Sequence, residues 1–333
     1  MKKEILQILR ENRDTFVSGQ TLCETFGVSR QAVWKNMAAL KECGYEIESV
    51  PKKGYRLLAE PDTLNAPDIL SRLPENGICK KVECFERIDS TNTKAKQLAE
   101  QGEPEGTLII TQEQFAGRGR RGREWKAEKG SGIWMTLLLR PRIRPEKVTG
   151  VTLLAAMAVA KGIEEVTAVR PMIKWPNDVV MGKRKVCGIL TEMSAELSSI
   201  HYLVVGIGIN VNTREFPEEI RQTASSIFLE TGKKVNRNEL AAAVIKHFGK
   251  YYELFMKEQD LSCVVEEYNA MLANKDKEVK IYYGMQETAE ESSIDTGVAR
   301  GIDKEGSLIV EIDGKEKKIV SGEVSVRGLY GYV

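Results

Sequence analysis

The segment Gly117–Arg123, GRGRRGR, decides between two fold classes for this chain. Its glycines match G-x-G-x-x-G, the pattern of dinucleotide-binding turns, which requires a strand before the turn and a helix opening on it. The preceding stretch, GTLIITQEQ (Gly106–Gln114), has the β-branched run of a strand. Gly130 and Gly132 interrupt the region where a helix should grow, and Ile133–Leu139 predicts a buried strand instead. The sequence therefore excludes a Rossmann turn and indicates a loop between two strands.

This arginine loop (residues 117–126) concentrates positive charge. Its glycines free the backbone to wrap around a ligand, and the donor fork of arginine can bond both oxygens of a carboxylate or a phosphate. A solvated basic loop and a nucleic-acid contact are the alternatives, but the interspersed glycines and the flanking strands favour anion binding. The cations are Arg118, Arg120, Arg121, Arg123 and Lys126, with one acid, Glu124, among them.

Composition excludes several classes of protein. The 333 residues suffice for two or three domains, and 42% hydrophobic with 29% charged residues is typical of globular proteins. A formal net charge of +1 gives no global attraction to nucleic acid, so such a contact needs a local patch. Six cysteines without a C-x-x-C pair and two histidines argue against a zinc site or a disulfide framework. An amphipathic start and the lack of a long apolar run predict a cytoplasmic protein with no membrane partner.

The N-terminal segment has the pattern of a winged helix-turn-helix. Thr21–Phe26 predicts a first helix, and Gly27–Val28 predicts the turn. Ser29 is then the expected N-cap of a second helix. A hairpin with a PKKG turn follows as the wing. Apolar residues at helical spacing define the buried face of the second helix: Val33, Met37 and Leu40.

Polar side chains at the start of the second helix and at the wing tip predict DNA binding. A helix in the major groove can read base edges with arginine and glutamine, and wing lysines can meet phosphates. A small helical interaction domain with solvated charges is the alternative, and the basic wing favours DNA. The candidate DNA-binding residues are Arg30, Gln31, Trp34, Lys35, Lys52 and Lys53.

The remaining chain changes from a mixed pattern to strands alone. Two prolines and polar residues in AEPDTLNAPD (Ala59–Asp68) mark a linker, after which a core helix and the buried strand LVVGIGINVN predict an α+β domain. From Asp276 onward the pattern predicts strands only, with Asp313–Gly314 as a hairpin turn. We expect a small SH3-like barrel there, which serves docking or support.

Three polar motifs in the central segment have ordinary local explanations. DSTN (Asp89–Asn92) can cap a helix or line a pocket, and KWPNDVV (Lys174–Val180) is typical of a turn. GKRKVCGILTE (Gly182–Glu192) begins with lysines that are usually exposed at a strand start. No G-x-S-x-G, Walker motif or nearby histidine accompanies them. An enzyme with this sequence would hold anions and stabilise developing charge, which indicates nucleotidyl or phosphoryl chemistry on a carboxylate.

In this order and spacing, DSTN, QEQFAGRGRRGREW, KWPNDV, KVCGILTE and GIGINVN resemble the motifs of biotin–protein ligases. The winged helix in front resembles the bifunctional members, which also repress the biotin operon. The resemblance covers essentially all 333 residues. It implies a multidomain α+β fold with a winged helix-turn-helix in residues 1–62, a ligase domain in 63–274 and an SH3-like β-barrel in 275–333.

The resemblance implies a two-step reaction. Biotin reacts with ATP, with Mg²⁺ present, to give biotinyl-5′-AMP, and a lysine of a biotin carboxyl carrier protein then accepts the biotin. The implied catalytic residues are Lys185, Arg118 and Arg120. The implied biotin-binding residues are Ser90, Thr91, Asn92, Gln114, Arg118, Gly119, Arg120 and Lys185. The implied ATP or adenylate residues are Lys174, Asn177, Asp178, Asn210 and Arg121, with Asp178 also on the Mg²⁺ side.

The resemblance further implies a homodimer that binds operator DNA when the adenylate is bound. Three alternatives stay open. A lipoate ligase would keep Lys185 but would not need GRGRRG. A metabolite-sensing repressor without catalysis could discard Lys185, Arg118 and Arg120, which this chain retains. A ligase whose N-terminal domain no longer binds DNA would not need the basic helix and wing.

Arg118→Gly tests whether the arginine loop closes over the adenylate. The adenylate hydrolyses readily, so a closing loop would exclude water, and a glycine at position 118 would loosen that closure. We expect the variant to release reactive adenylate and to label bystander lysines, measured by biotin blotting of an added unrelated protein. A variant that retains its intermediate as tightly as the wild type would contradict the closure model.

Overall fold

The computed structural model describes residues 1–122, 124–125, 129–283, 294–321, 324–328 and 332–333. Arg123 and Lys126 of the arginine loop lie outside the described residues, as does the side chain of Arg121. The chain forms an N-terminal winged helix, a central α+β domain and a C-terminal antiparallel sheet, which confirms the predicted fold class. The domain boundaries after residues 62 and 274 stay predictions.

The N-terminal part is a helix-turn-helix followed by a hairpin. Ser29 accepts a hydrogen bond from the Ala32 amide and caps the second helix of the motif, as predicted. Gly27 ends the preceding helix at a φ of 62°, a left-handed conformation that glycine adopts without strain. The elements are α1 (Lys2–Glu11), α2 (Gly19–Phe26), α3 (Arg30–Glu42), β1 (Glu46–Val50) and β2 (Gly54–Ala59).

A separate small core supports this motif. The predicted apolar face of α3 is buried, and it lies in one cluster with Leu6 and Leu9 of α1, Leu22 of α2 and Leu57 of β2. Every element of the motif therefore contributes to one core, and the opposite face of α3 is left to solvent.

The central part, over the residues that the structure describes, contains helices α4 to α9 and a seven-stranded sheet. Its elements are α4 (Ala66–Arg72), β3 (Lys81–Ile88), α5 (Thr91–Glu100), β4 (Thr107–Gln114), β5 (Gly117–Arg118), β6 (Glu124–Trp125), β7 (Gly132–Leu139), α6 (Val148–Thr167), β8 (Met172–Lys174), β9 (Asp178–Met181), β10 (Arg184–Ala195), β11 (Ile200–Asn210), α7 (Ile227–Thr231), α8 (Arg237–Glu258) and α9 (Val265–Met271). The predicted strands before and after the arginine loop are β4 and β7, so the next long element that the structure describes after the loop is a strand and not a Rossmann helix.

Helices cover both faces of the central sheet. Within the described residues the sheet has seven strands in the order β3-β4-β7-β11-β10-β9-β8, with β3 parallel to β4 and the other pairs antiparallel. Leu138 and Val204 pack with α5, whereas Leu137 and Val205 beside them belong to the main core, which includes α6 and α8. Because successive side chains of a strand point to opposite faces, this alternation places the sheet between two helical layers.

The C-terminal part is an antiparallel sheet, with five strands in the described chain in the order β15-β14-β13-β12-β16. Asp313 and Gly314 form the predicted hairpin turn, with φ of 50° and 72°. Closure of the sheet into a barrel stays a prediction, and the run KKIVSGEVSV divides between two strands. The strands are β12 (Lys277–Tyr283), β13 (Ile294–Ile302), β14 (Leu308–Ile312), β15 (Lys315–Ile319) and β16 (Val324–Gly328).

The segment predicted as a linker is packed rather than solvated. Asn65 caps α4, so the last residues of the segment are helical, and Asp68 is completely buried. Arg10 of α1 pairs with Asp68 and with Glu60, at 2.7 Å from the Glu60 carboxylate, and Arg72 binds the same two acids. The acids of this segment neutralise arginines from both sides of the junction between the N-terminal and central parts.

Helix lengths and hydropathy in the central and N-terminal parts bear on membrane insertion. Core helix α6 has 20 residues but carries Lys161, Glu164 and Glu165. Across the described part of the chain, no helix is both long and apolar enough to cross a membrane.

Candidate active site

Strands β4, β7, β10 and β11 border a polar cavity of about 100 Å³, here called the inner cavity. A wider outer cavity of about 1690 Å³ adjoins it and shares Arg120, Asn177 and Lys185 in its wall. Residues from the predicted catalytic, biotin-binding and nucleotide-binding groups meet at these two cavities. The inner cavity is lined by Ser90, Thr91, Asn92, Gln114, Arg118, Gly119, Arg120 and Lys185, and the outer one by Lys174, Asn177, Asp178 and Asn210.

One hydrogen-bond network fixes the polar wall of the inner cavity. Gln114 Oε1 accepts from the amide of Thr91 at 2.8 Å and from its hydroxyl at 3.0 Å. The hydroxyl of Thr136 lies 2.6 Å from Asn92 Oδ1 and 2.8 Å from Thr91 Oγ1. Ser90 occupies the N-cap position of α5 but makes no capping hydrogen bond with its side chain. The side chains of Ser90, Thr91 and Asn92 therefore line the cavity wall rather than cap the helix.

The amide of Asn92 is held in one orientation. Its Nδ2 donates to the Leu190 carbonyl at 3.1 Å and to Glu192 Oε2 at 2.7 Å, and Glu192 also pairs with Lys96 at 2.9 Å. Burial works to raise the pKa of Glu192, but Lys96 and Asn92 outweigh burial and lower that pKa. A charged Glu192 accepts from Asn92, so the amide must present its oxygen towards Thr136.

Two glycines of β11 leave room beside the inner cavity because they have no side chains. A Cβ at Gly206 would lie 2.9 Å from Asn92 Cγ, and one at Gly208 would lie 3.2 Å from the ring of Trp134. Any larger residue would therefore displace the asparagine or the indole. The glycines of GIGIN therefore permit close approach to the strand backbone.

Charged groups meet where the inner and outer cavities join. Lys185 Nζ lies 2.6 Å from Asp178 Oδ1, and the Tyr332 hydroxyl donates to Asp178 Oδ2. Lys174 Nζ lies 3.6 Å from the centre of the Tyr332 ring. The local pattern indicated an exposed lysine and an ordinary turn, whereas the fold turns Lys185 inward against a buried acid.

Asp178 remains charged in this setting. Burial works to raise the pKa of its carboxyl, but the ammonium groups of Lys185 and Lys174, together with hydrogen bonds from Lys185 and Tyr332, hold that pKa below its ordinary value. A pKa lowered by folding contributes stability above the unfolded pKa, and this stability is lost as pH falls through the folded pKa.

The arginine loop borders both cavities. β5 pairs with β6, so the backbone of the loop folds back on itself beside the inner cavity. Arg120 Nη1 donates to Asn177 Oδ1 at 2.9 Å, and Asn177 Nδ2 donates to the Ile189 carbonyl at 3.0 Å. Arg118 is exposed to solvent on its outer side although it lines the inner cavity. The loop thus brings arginines to the junction where the lysines lie.

The outer cavity has an excess of positive charge. Asn210 lies at its inner end, where its Nδ2 donates to the Ser225 carbonyl at 2.9 Å. The acids in the wall are Asp62, Asp178 and Glu215. The cations are Arg120, Lys129, Lys174, Lys185, Arg214, Lys234 and Arg327. Such a wall suits a polyphosphate, whose charge it would neutralise.

A metal ion could be held here only with help from a ligand. No group of three or more His, Cys, Asp or Glu side chains that could hold a metal occurs among the described residues. Asp178 is a buried carboxylate at the cationic cavity, and Mg²⁺ is commonly bound by one or two carboxylates together with substrate phosphates. The residues present therefore fit Mg²⁺ that arrives with a nucleotide.

The predicted DNA-binding residues are exposed in the N-terminal part, and none of them lines either cavity. Arg30, Gln31 and Lys35 are exposed at the start of α3, and Trp34 beside them is 64% exposed. Lys52 and Lys53 are exposed at the tip of the β1–β2 hairpin. Their roles stay predictions, but helix and wing present these side chains to solvent as a DNA contact requires.

Several residues of the site had no local signal in the sequence. Trp134 and Thr136 lie in a continuous apolar strand, and their inward direction follows only from the pairing of β7 with β11. Tyr332 reaches the site from beyond β16, so the C-terminal part, expected to serve docking or support alone, also lines the outer cavity. Trp125, Gly188 and Glu192 were also missed.

Family models match all three parts of the chain. Residues 84–210 match the biotin/lipoate A/B protein ligase family. Residues 2–56 match an HTH domain, and residues 287–327 match the biotin protein ligase C-terminal domain. The structure is similar to the biotin protein ligase of Aquifex aeolicus in complex with biotin and ATP, with a TM-score of 0.64 and 31% identity, over 75% of this chain and 99% of that one.

Curated relatives extend the similarity over nearly the whole chain. The bifunctional ligase/repressor BirA of Bacillus subtilis is 35% identical over 98% of both chains. The BirA of Escherichia coli is 33% identical over 94% of this chain and 93% of its own. The chain therefore belongs to the biotin/lipoate A/B protein ligase family. These two relatives, whose matches extend over nearly the whole chain, are bifunctional ligase/repressors.

Lys185→Met tests the charge balance at the cavity junction. Because Asp178 would keep its burial and lose its main partner, its pKa should rise, and the variant should lose roughly 1 to 3 kcal/mol of unfolding free energy at neutral pH. The difference from the wild type should shrink as pH falls and Asp178 becomes protonated in both proteins. Thermal melts over a pH series measure this, with the exposed Lys183→Met as the matched control. An equal loss at every pH would contradict the assignment.

Proposed function

We propose that this protein activates biotin with ATP to biotinyl-5′-AMP and transfers the biotin to a lysine of a biotin carboxyl carrier protein. With the adenylate bound, it acts as a repressor of biotin synthesis genes. One observation carries the enzymatic part: a hydrogen-bonding inner cavity opens, past Lys185, Asp178, Arg120 and Asn177, into a cationic outer cavity. A site that joins a small acid to a nucleotide needs that arrangement.

The inner cavity suits the ring system of biotin. A ureido group has both donors and acceptors, and Ser90, Thr91, Asn92 and Gln114 supply complementary groups whose orientation is fixed by the network around Thr136. Trp134 adds an apolar wall for the thiophane ring and the side chain of biotin. The carboxylate of biotin would then lie towards Arg118, Arg120 and Lys185.

The first step is adenylation. A carboxylate oxygen of biotin attacks the α-phosphorus of ATP, the bond from that phosphorus to the β-bridging oxygen breaks, and pyrophosphate leaves with the electron pair. Negative charge increases on the α-phosphate in the transition state, so Lys185, Arg118 and Arg120 lower the barrier by holding that charge. The residues proposed for the rest of the nucleotide are Lys174, Asn177, Asp178, Asn210 and Arg121.

Mg²⁺ is the expected metal, with Asp178 as its protein ligand. When bound it neutralises phosphate charge and makes pyrophosphate a better leaving group. The chain's own part is to keep Asp178 ionised beside two lysines, which the lowered pKa of that carboxyl supports.

The second step is acyl transfer. The ε-amine of the carrier lysine attacks the acyl carbon of the adenylate, the bond from that carbon to the phosphate oxygen breaks, and AMP leaves. The amine loses a proton to solvent as the amide forms. Gly119 and the neighbouring arginines lie over the inner cavity, so the arginine loop would exclude water from the adenylate until the carrier arrives.

The regulatory part uses the winged helix. The exposed side chains of α3 and the wing would contact operator DNA, and a homodimer would present two of them to two half-sites. Adenylate binding would favour that dimer, so the intermediate would link biotin supply to repression. We place the protein in the cytoplasm, without a membrane partner, because ATP is its substrate and all six cysteines are free thiols.

ATP–pyrophosphate exchange tests the enzymatic proposal. Purified protein with Mg²⁺ and ATP is assayed with biotin, with lipoate and with no acid. Exchange that depends on biotin alone is the expected result, because only a bound carboxylate can accept AMP. Exchange with lipoate alone would assign a different acid to the inner cavity, and no exchange with either acid would refute the ligase.

DNA binding tests the regulatory proposal. With biotin and ATP, sedimentation should show a dimer, and fluorescence anisotropy should show tighter binding to promoter DNA of biotin synthesis genes than without biotin. Lys53→Ala should reduce the slope of log K against log salt by about 1, because one phosphate contact is lost. Lys41→Ala, exposed at the other end of α3, is the control and should leave that slope unchanged. If the salt slope of Lys53→Ala equals that of Lys41→Ala, the wing does not contact the DNA.

A further inference from the structure

We propose that Tyr332 is a positioning residue for the nucleotide end of the site: its hydroxyl holds Asp178, and its ring holds Lys174. The inference rests on the proposed function, since it assigns a role on the ATP side of that reaction. It concerns a part of the chain that sequence patterns indicated had no chemistry.

Two contacts place Tyr332 between groups of opposite charge. Its hydroxyl donates to Asp178 Oδ2, and the ammonium of Lys174 lies 3.6 Å from its ring centre, where a cation is attracted to the face of the ring. Lys174 ends β8 and Asp178 begins β9. One side chain therefore holds both ends of the turn that carries Asn177.

The hydroxyl of Tyr332 also determines which groups bond to each carboxylate oxygen of Asp178. Lys185 approaches Asp178 Oδ1 at 2.6 Å, and Tyr332 occupies the other oxygen. Without that hydroxyl the carboxylate could rotate and bond both Lys185 and Lys174, which would neutralise two cations at once. With Tyr332 in place, Lys174 is held against the ring, and both lysines line the outer cavity.

A glycine makes this position reachable. Residues 324–327 of β16 line the outer cavity, and Tyr332 lines it as well. A Cβ at Gly328 would lie 2.6 Å from the carbonyl oxygen of Val333, so only glycine lets the backbone of Val333 return against the strand. Gly328 thus offers a second way to displace Tyr332 without changing its side chain.

The location of Tyr332 predicts which substrate it affects. It lines the outer cavity, and it is not among the residues that line the inner one. Loss of its hydroxyl should weaken ATP binding and leave biotin binding unchanged. A merely structural role would lower the stability of the protein and affect both substrates.

Tyr332→Phe is the test, because it removes the hydroxyl and keeps the ring. We expect the KM for ATP in pyrophosphate exchange, and the Kd for ATP with Mg²⁺ by calorimetry, to rise about tenfold, as for the loss of a hydrogen bond to a charged group. The KM for biotin should not change.

Tyr283→Phe is the matched control. Tyr283 donates to Asp295 at 3.0 Å and has Lys317 at 5.0 Å from its ring centre, so it makes the same two kinds of contact within the C-terminal sheet, away from both cavities. We expect wild-type constants for this variant. Gly328→Ala should reproduce the effect of Tyr332→Phe on ATP, with thermal melting as the check that both variants are folded.

The outcomes separate this inference from the proposed function. If the wild type shows biotin-dependent exchange while Tyr332→Phe keeps the ATP constants of Tyr283→Phe, the role of Tyr332 is refuted and the ligase stands. If the wild type shows no exchange but Tyr332→Phe weakens ATP binding in calorimetry, the reaction is refuted and the role of Tyr332 stands. An equal rise in the constants for ATP and biotin would also overturn the inference.

Discussion

The ion pair between Lys185 and Asp178 is the interaction on which the arrangement of the site depends. A carboxylate and an ammonium are costly to bury, so the pair persists only because the fold compensates each of them. The β9–β10 hairpin brings the two residues together, and Gly188 is small enough that Lys185 can cross it, since a Cβ there would lie 2.8 Å from Nζ. Lys174 and Tyr332 then complete the surroundings of the acid. The same surroundings leave a cationic surface that a triphosphate can approach.

The two cavities differ in how they are built, and the difference follows from the chemistry each would hold. Apart from Arg118, Arg120 and Lys185 at one end, the polar wall of the inner cavity consists of neutral groups, several of which are bonded to one another, such as Thr91 with Gln114 and Thr136 with Asn92. Such a network resists rearrangement and selects a ligand by shape and by hydrogen-bond pattern. The outer cavity is wide and dominated by long cationic side chains, which adapt to a flexible phosphate chain. The inner cavity would thus select the acid, and the outer cavity would bind the nucleotide.

Local patterns predicted the N-terminal part down to a single cap, because Ser29, Gly27 and the face of α3 act within a few residues of sequence. They also predicted the strands on both sides of the arginine loop. The direction of Lys185 could not be predicted in this way, since strand starts are commonly exposed, and only the resemblance indicated its role. Tyr332 lies 154 residues from Asp178, and no periodicity links positions that far apart. The packed junction around Asp68 was missed for the same reason, because its arginine partner comes from α1.

That junction has a consequence for how the protein would read DNA. Arg10, Arg72, Glu60 and Asp68 join the winged helix to the central domain through buried or half-buried charges, and Asp62 adds a contact to Arg237 at the start of α8. Rotation of one domain on the other would separate Asp68 from Arg10, so these contacts hold the winged helix in a fixed orientation on the central domain. In a dimer the distance between the two winged helices would then be set by the subunit interface alone, because neither winged helix could move on its own central domain. Operators with altered half-site spacing would have to bend to fit.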